Sequence, residues 1–240
     1  MILAEVHGSF DESGTSPAVC NIWMKAKKLE KKNRRRSRSQ EARDYCLAIN
    51  GSPQKSGLYS RLLKRVLDGS REYSARARLI HLIDHEDTLF RLSHIKTPPK
   101  RIRTLLDQIR AEADCLVLAT PVHWFGMSTL MKCFIDHLSY LEYDKPGSNR
   151  FELEGKVVSF VATADEDGGL KTVLDMVGPL SHMGAIIPPY ATYFHNRQMA
   201  KKSEGEWMND PEFVGRVTVQ VAEAIKDISA WGRSRTRSRR

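Results

Sequence analysis

The chain has 240 residues, 41% of them apolar, and a formal charge of +9. That is enough apolar material for a buried core, in one large domain or two small ones. No apolar run approaches the roughly 18 residues of a membrane span, and the opening MILAEVHGSFDESG lacks the basic start and apolar core of a signal peptide. The four cysteines, Cys20, Cys46, Cys115 and Cys133, show no C-x-x-C spacing. This argues against zinc or iron–sulfur ligation and fits reduced, buried thiols in a cytoplasmic protein.

The charge is unevenly spread. Residues 25–44 hold ten Lys/Arg against three Asp/Glu, residues 233–240 hold five Arg and no acid, and the remainder is left at −3. Residues 1–43 read as a basic, disordered extension that can hold a short helix over Met24–Lys32, and residues 233–240 as an Arg-rich tail. A nucleic-acid or acidic-partner role would run through these two segments alone. No aromatic residue interleaves the basic run, which disfavours nucleic acid.

From residue 44 onward strand and helix signals alternate. Tyr45–Asn50 is a first strand and Gly57–Leu67 a helix with Leu58, Leu62, Leu63 and Val66 on one face. Ala77–Ile83 is a second strand, Pro98–Glu112 a second helix, and Asp114–Thr120 a nearly all-apolar strand of the kind covered on both faces. Ser128–Leu141 is the third helix, Lys156–Thr163 the fourth strand, Leu170–Met183 the fourth helix and Ala185–Tyr190 a short fifth strand. Asp210–Trp231 closes the domain, with Asp210 as N-cap and Pro211 at the first helical position. Five strand-then-helix repeats over residues 44–232 predict one parallel sheet with helices on both faces. In strand order 2-1-3-4-5, ligands bind at the carboxyl ends of strands one and three, where the winding reverses.

The loops at that end carry the chemistry. After the first strand, Asn50-Gly51-Ser52-Pro53 runs through a hydroxyl-rich loop into a helix start at Ser56-Gly57. Backbone N–H groups and the helix dipole there favour an anion. Gly57 is followed by Leu58, not Lys, which excludes the P-loop pattern, and Gly51 has no second glycine two residues on, which excludes the dinucleotide fingerprint. A phosphate monoester held by neutral donors remains, as does a plain Ser/Gly turn capping a helix. After the third strand, TPVHWFGMS places aromatic side chains at a loop mouth, where they want a flat partner. After the fourth, Thr163 to Gly169 holds three acids and a Gly pair that permits a tight turn.

LAINGSPQKSGLYSRLL and TPVHWFGMSTLMKCFIDHL together resemble the first two flavin loops of the NAD(P)H-dependent FMN reductases of the flavodoxin-like superfamily. His123 stands where many relatives carry Tyr, and His137 where Arg is common. The resemblance covers roughly residues 44–200 and implies a flavodoxin-like three-layer α/β sandwich with a five-stranded parallel sheet. It implies FMN held at its phosphate by Ser52, Gln54, Ser56, the Leu58 backbone and Ser60. Pro121, Val122, His123, Trp124, Phe125 and Gly126 would line the ring, and Thr163, Gly168 and Gly169 its far edge, through backbone donors rather than the acids. It further implies NAD(P)H as co-substrate, ping-pong transfer to free flavin, a quinone or another small acceptor, and a homodimer built on the helix after the second loop. No residue is then needed as acid or nucleophile, since the cofactor carries the redox step. A flavodoxin-type electron carrier is the alternative, against which the first loop lacks the Thr/Ser-x-Thr-Gly-x-Thr pattern. Four further histidines, His81, His94, His182 and His195, carry only structural readings.

Overall fold

The computed structural model describes residues 44–73, 75–91, 96–144, 151–196 and 210–237, with backbone alone at 143–144, 195–196 and 227–237. The basic extension, the helix expected over Met24–Lys32 and His94 lie outside the described residues.

Five parallel strands form the sheet. They are β1 (Tyr45–Asn50), β2 (Arg76–His81), β3 (Cys115–His123), β5 (Val157–Ala164) and β6 (Thr192–Asn196), in spatial order β2-β1-β3-β5-β6. Counting the parallel strands alone, this is the expected 2-1-3-4-5 order. A sixth, two-residue strand, β4 (Gly126–Met127), folds back antiparallel on β3, pairing Val122 with Met127 and His123 with Gly126. The helices are α1 (Leu58–Glu72), α2 (Glu86–Leu89), α3 (Lys100–Glu112), α4 (Thr129–Asp144), α5 (Gly169–His182) and α6 (Pro211–Arg237). A 3-10 turn, Leu82–His85, follows β2 directly.

The alternation of β1 decides the layers. Tyr45, Leu47 and Ile49 pack into one core with residues of α3, α4 and α5, whereas Cys46 and Ala48 pack into a second core with Leu62, Leu63, Val66 and Leu67 of α1 and Val214, Val219 and Ala222 of α6. Each fully buried aliphatic side chain contributes about 1.5–3 kcal/mol. Two glycines let α1 and α6 touch backbone to backbone: a Cβ on Gly69 would overlap the Glu212 carbonyl, and one on Gly215 the Val66 carbonyl. Asp210 caps α6 as expected, accepting the Glu212 N–H at 3.1 Å.

One expected strand is corrected. Ala185–Tyr190 makes only an isolated bridge, Ile186 with Val157, and the edge strand is Thr192–Asn196 instead. Pro188 and Pro189 have no N–H for a ladder and fix φ, so pairing resumes only where Phe160 N–H donates to Ala191 O at 2.8 Å. Other expected boundaries hold to within three residues, with two exceptions at C-terminal helix ends: α1 runs five residues further, to Glu72, and α6 six further, to Arg237.

Candidate functional site

The connection leaving β1 runs toward β2 and the one leaving β3 runs the other way, toward β5, so a crevice opens between their carboxyl ends. The first loop is tied down from within. The buried Asn50 side chain accepts the Ser52 N–H through Oδ1 at 2.9 Å, which fixes its amide orientation. Its Nδ2 then donates to His81 Nδ1 at 2.9 Å. That bond requires an unprotonated Nδ1, so the ring proton sits on Nε2. Burial holds the His81 imidazole below its ordinary pKa, and Lys55 and Lys64 push the same way against Asp84. Ser52, 1% exposed, accepts the Gln54 N–H at 3.1 Å, and the buried Ser60 hydroxyl donates to Lys55 O. These two hydroxyls shape the loop. Gly57 precedes α1, and no side chain caps the helix, so the first-turn N–H groups are left without a side-chain acceptor.

Ser128 binds the second loop to the first. Its Oγ donates to Gly51 O at 2.6 Å and accepts the Met131 N–H at 3.1 Å, while its own N–H donates to Thr120 Oγ1 at 2.9 Å. Gly51 has no room for a side chain, since a Cβ would lie 2.9 Å from Met131 Cβ and 3.0 Å from Ala119 O. β3 continues through Pro121, Val122 and His123 before turning at Trp124 and Phe125. Both turn residues have positive φ, 47° and 60°, the pattern of a two-residue hairpin that normally selects Asn-Gly. Trp124 is 99% exposed and Phe125 54%. Gly126 begins β4, and the positive φ values fall on the two aromatics before it.

In the third loop Gly168, at φ 93°, begins α5 against the hairpin: a Cβ there would lie 2.9 Å from Phe125 Cα and 3.1 Å from Val122 Cγ1. Gly169 lies close to the Phe194 ring in the same way.

The three loops enclose a cavity of 450 Å3, lined by Gln54, Leu58, Tyr59 and Arg61 from the first, Pro121, Val122 and His123 from the second, and Thr163, Ala164 and Asp165 from the third. Six residues expected at a site thus meet in one cavity: Gln54, Leu58, Pro121, Val122, His123 and Thr163. Trp124, Phe125, Gly126, Gly168 and Gly169 stand beside it, and Ser56 is exposed on the first loop. Sequence reasoning missed Tyr59, Arg61 and Ala164, and set the Asp165 carboxylate aside in favour of backbone donors. Tyr59 and Arg61 lie in the first turn of α1, off the apolar stripe of Leu62, Leu63 and Val66, and that offset was readable. His81 was also missed; only the pairing of Asn50 with His81 at the ladder's end reveals it. His137 is fully buried away from the site, its Nε2–H donating to Leu89 O at 2.9 Å. Among the described residues no cluster of His, Cys, Asp or Glu could hold a metal ion, and no helix is long and apolar enough to cross a membrane.

No curated protein sequence gives a significant match. Among solved structures, RosB with a bound formylriboflavin-phosphate intermediate superposes with a TM-score of 0.60 at 17% identity, over 81% of this chain and 87% of that one. An oxidoreductase from Corynebacterium diphtheriae gives 0.56 at 17% identity, over 77% and 98%. The NADH:FMN oxidoreductase EmoB, in its apo form, gives 0.51 at 21% identity, over 77% and 87%. At these identities the likeness establishes the flavodoxin-like fold. Residues 45–199 match the NADPH-dependent FMN reductase family, and with its sheet order and its three converging loops the chain belongs to that family.

Proposed function

We propose that the chain is an FMN-dependent NAD(P)H oxidoreductase with its flavin in the cavity between the three loops. The observation that carries this reading is the meeting of Gln54, Val122, His123 and Thr163, from three separate loops, around one 450 Å3 space. That volume falls within the about 300–1,000 Å3 of small-molecule sites. The fit to FMN rests on the donor set: α1 has no side-chain cap, and Gln54 and Arg61 line the same cavity, the donor chemistry that a phosphate monoester requires. Ser56 extends the set. Ser52 and Ser60 act through the loop's shape, since their hydroxyls are buried in it.

Bound FMN supplies the redox chemistry, passing a hydride from a nicotinamide to free flavin, a quinone or another small acceptor. The protein's part is placement. Pro121 and Val122 form a stiff wall for the ring, with Phe125 wedged against Gly168. Backbone N–H groups of the Thr163–Gly169 loop would serve the far edge, and His123, where many relatives carry Tyr, would offer a ring that stacks or donates. Trp124 stands free at the mouth as a platform for an incoming flat molecule. A cytoplasmic location and a homodimer belong to the same reading. So does the division into a basic extension over residues 1–43, a flavin domain over 44–232 and an Arg-rich tail.

The test is the visible spectrum of the purified protein. Flavin bands that are released as FMN on denaturation and bleach with NAD(P)H under anaerobic conditions are expected. A protein that stays colourless after incubation with FMN overturns the reading, and bound flavin that NAD(P)H leaves oxidised replaces it with the electron-carrier alternative.

A further inference from the structure

A second cavity, larger at 570 Å3, lies beside the outer edge of β2, bounded by the 3-10 turn at Leu82–His85 and by α3. It shares no lining residue with the cavity between the three loops. Ile80 and Leu105 pack on the same face of the sheet and give it an apolar wall. Arg78 from β2 and Lys100 and Arg101 from the first turn of α3 are exposed around it.

These cations are poorly compensated. Arg101 has Asp87 at 3.4 Å, Arg78 has only the Gln108 amide oxygen at 3.4 Å, and Lys100 pairs with no carboxylate among the described residues. The one acid on the lining, Asp84, is held by Lys55 of the first loop. Lys100 and Arg101 also sit where a helix least favours them, in a first turn that contains no acid and has no side-chain cap. The His85 ring adds a buried Nδ1 without a hydrogen-bond partner. Burial, Arg101 and Arg78 hold His85 below its ordinary pKa, against Asp84 and Asp87. Charged residues that keep a sheet edge from pairing would account for Arg76 and Arg78. They do not account for two cations at a helix start beside an orphaned ring nitrogen.

We infer that this cavity binds a small organic phosphate of mononucleotide size, with Arg78, Lys100 and Arg101 taking the phosphoryl oxygens and the flat apolar part lying along Ile80 and Leu105. A bidentate guanidinium and a flexible ammonium are suited to one phosphoryl group. The inference does not depend on flavin in the other cavity.

The experiment is calorimetric titration of ADP into the full chain, without FMN and again with FMN in excess. Saturable binding in both, weakening as salt rises, is expected. The Lys100→Glu/Arg101→Gln double variant should bind at least about tenfold more weakly while taking up FMN as the parent does. Its new acid suits the helix start, so it folds, which its melting temperature verifies, and Arg78→Ala gives a second variant outside that helix. Absence of binding at millimolar ADP overturns the inference, as does equal binding by parent and both variants. Adenosine binding as tightly as ADP excludes the phosphate class. Loss of ADP binding when FMN is in excess would place ADP in the first loop instead.

Discussion

Gly168 and Phe125 meet backbone to backbone: the space a Gly168 Cβ would need lies 2.9 Å from Phe125 Cα. The hairpin that carries the aromatics thus rests directly on the start of α5. Gly168 also sits at φ 93°, so Gly168→Ala meets both backbone strain and a clash. Gly155, at φ 80° with nothing within 4 Å, isolates the first effect. Gly155→Ala should lose about 1–2 kcal/mol of stability with FMN binding unchanged. Gly168→Ala should lose more and weaken FMN about tenfold or further. Denaturant titration and flavin fluorescence separate the two, and equal FMN binding by both variants would remove the hairpin contact from the site.

Trp124 tests strain kept for function. Its φ of 47° suits Asn, and its side chain is 99% exposed. Trp124→Asn should raise stability by about 0.5–1 kcal/mol and lower kcat/KM for flat acceptors, with retained FMN content as the check. Unchanged kcat/KM would leave Trp124 without a role at the mouth.

His81 gives the site an acid limit. Its folded pKa is lowered, chiefly by burial, so the unfolded chain takes up the proton first. Stability attributable to His81 is therefore complete above the ordinary value of about 6.5 and is lost as pH falls from there through the folded pKa. Protonation of Nδ1 also removes the acceptor for Asn50, and Asn50 holds the first loop. FMN affinity should fall over the same interval, and His81→Gln should flatten both profiles. An FMN profile that keeps its slope in the variant would assign the effect elsewhere.

Lys226 of α6 lies 2.8 Å from Asp114 and also bridges to the buried Asp44 at the sheet's other end. Burial opposes its charge, but the bonds to Asp114 and Asp44 outweigh this and raise its pKa. Lys226→Met should destabilise by about 1–3 kcal/mol, with FMN affinity unchanged because the bridge is remote from the carboxyl ends. Denaturant midpoints check the first expectation and flavin titration the second.

The parallel strands β1, β3 and β5 were legible because each is an apolar run bounded by polar turns, and the site followed from their order. The edge strand was not. AIIPPY has the composition of a strand, but two prolines deny it a ladder, while TYFHN pairs although it is less apolar. That residues of the first and second loops line one cavity was readable from the composition of their mouths. Which hydroxyls are spent inside the loop was not, because Ser52, Ser56 and Ser60 are alike in sequence, whereas Ser52 and Ser60 are buried in it and Ser56 is exposed. The hairpin escaped for a related reason: Trp-Phe is an improbable turn, held open by packing on Gly168.

The glycine crossing of α1 and α6 bears on where this protein can be cut. The family match ends at residue 199, yet α6 begins at Pro211 and presses its backbone onto α1 through Gly69 and Gly215. α1 is the helix whose first turn opens on the cavity. A fragment trimmed to the matched residues would retain all three loops and lose the strut behind one of them, uncovering Leu63 and Val66 as it did so. The packed domain is therefore longer than the piece that identifies the family.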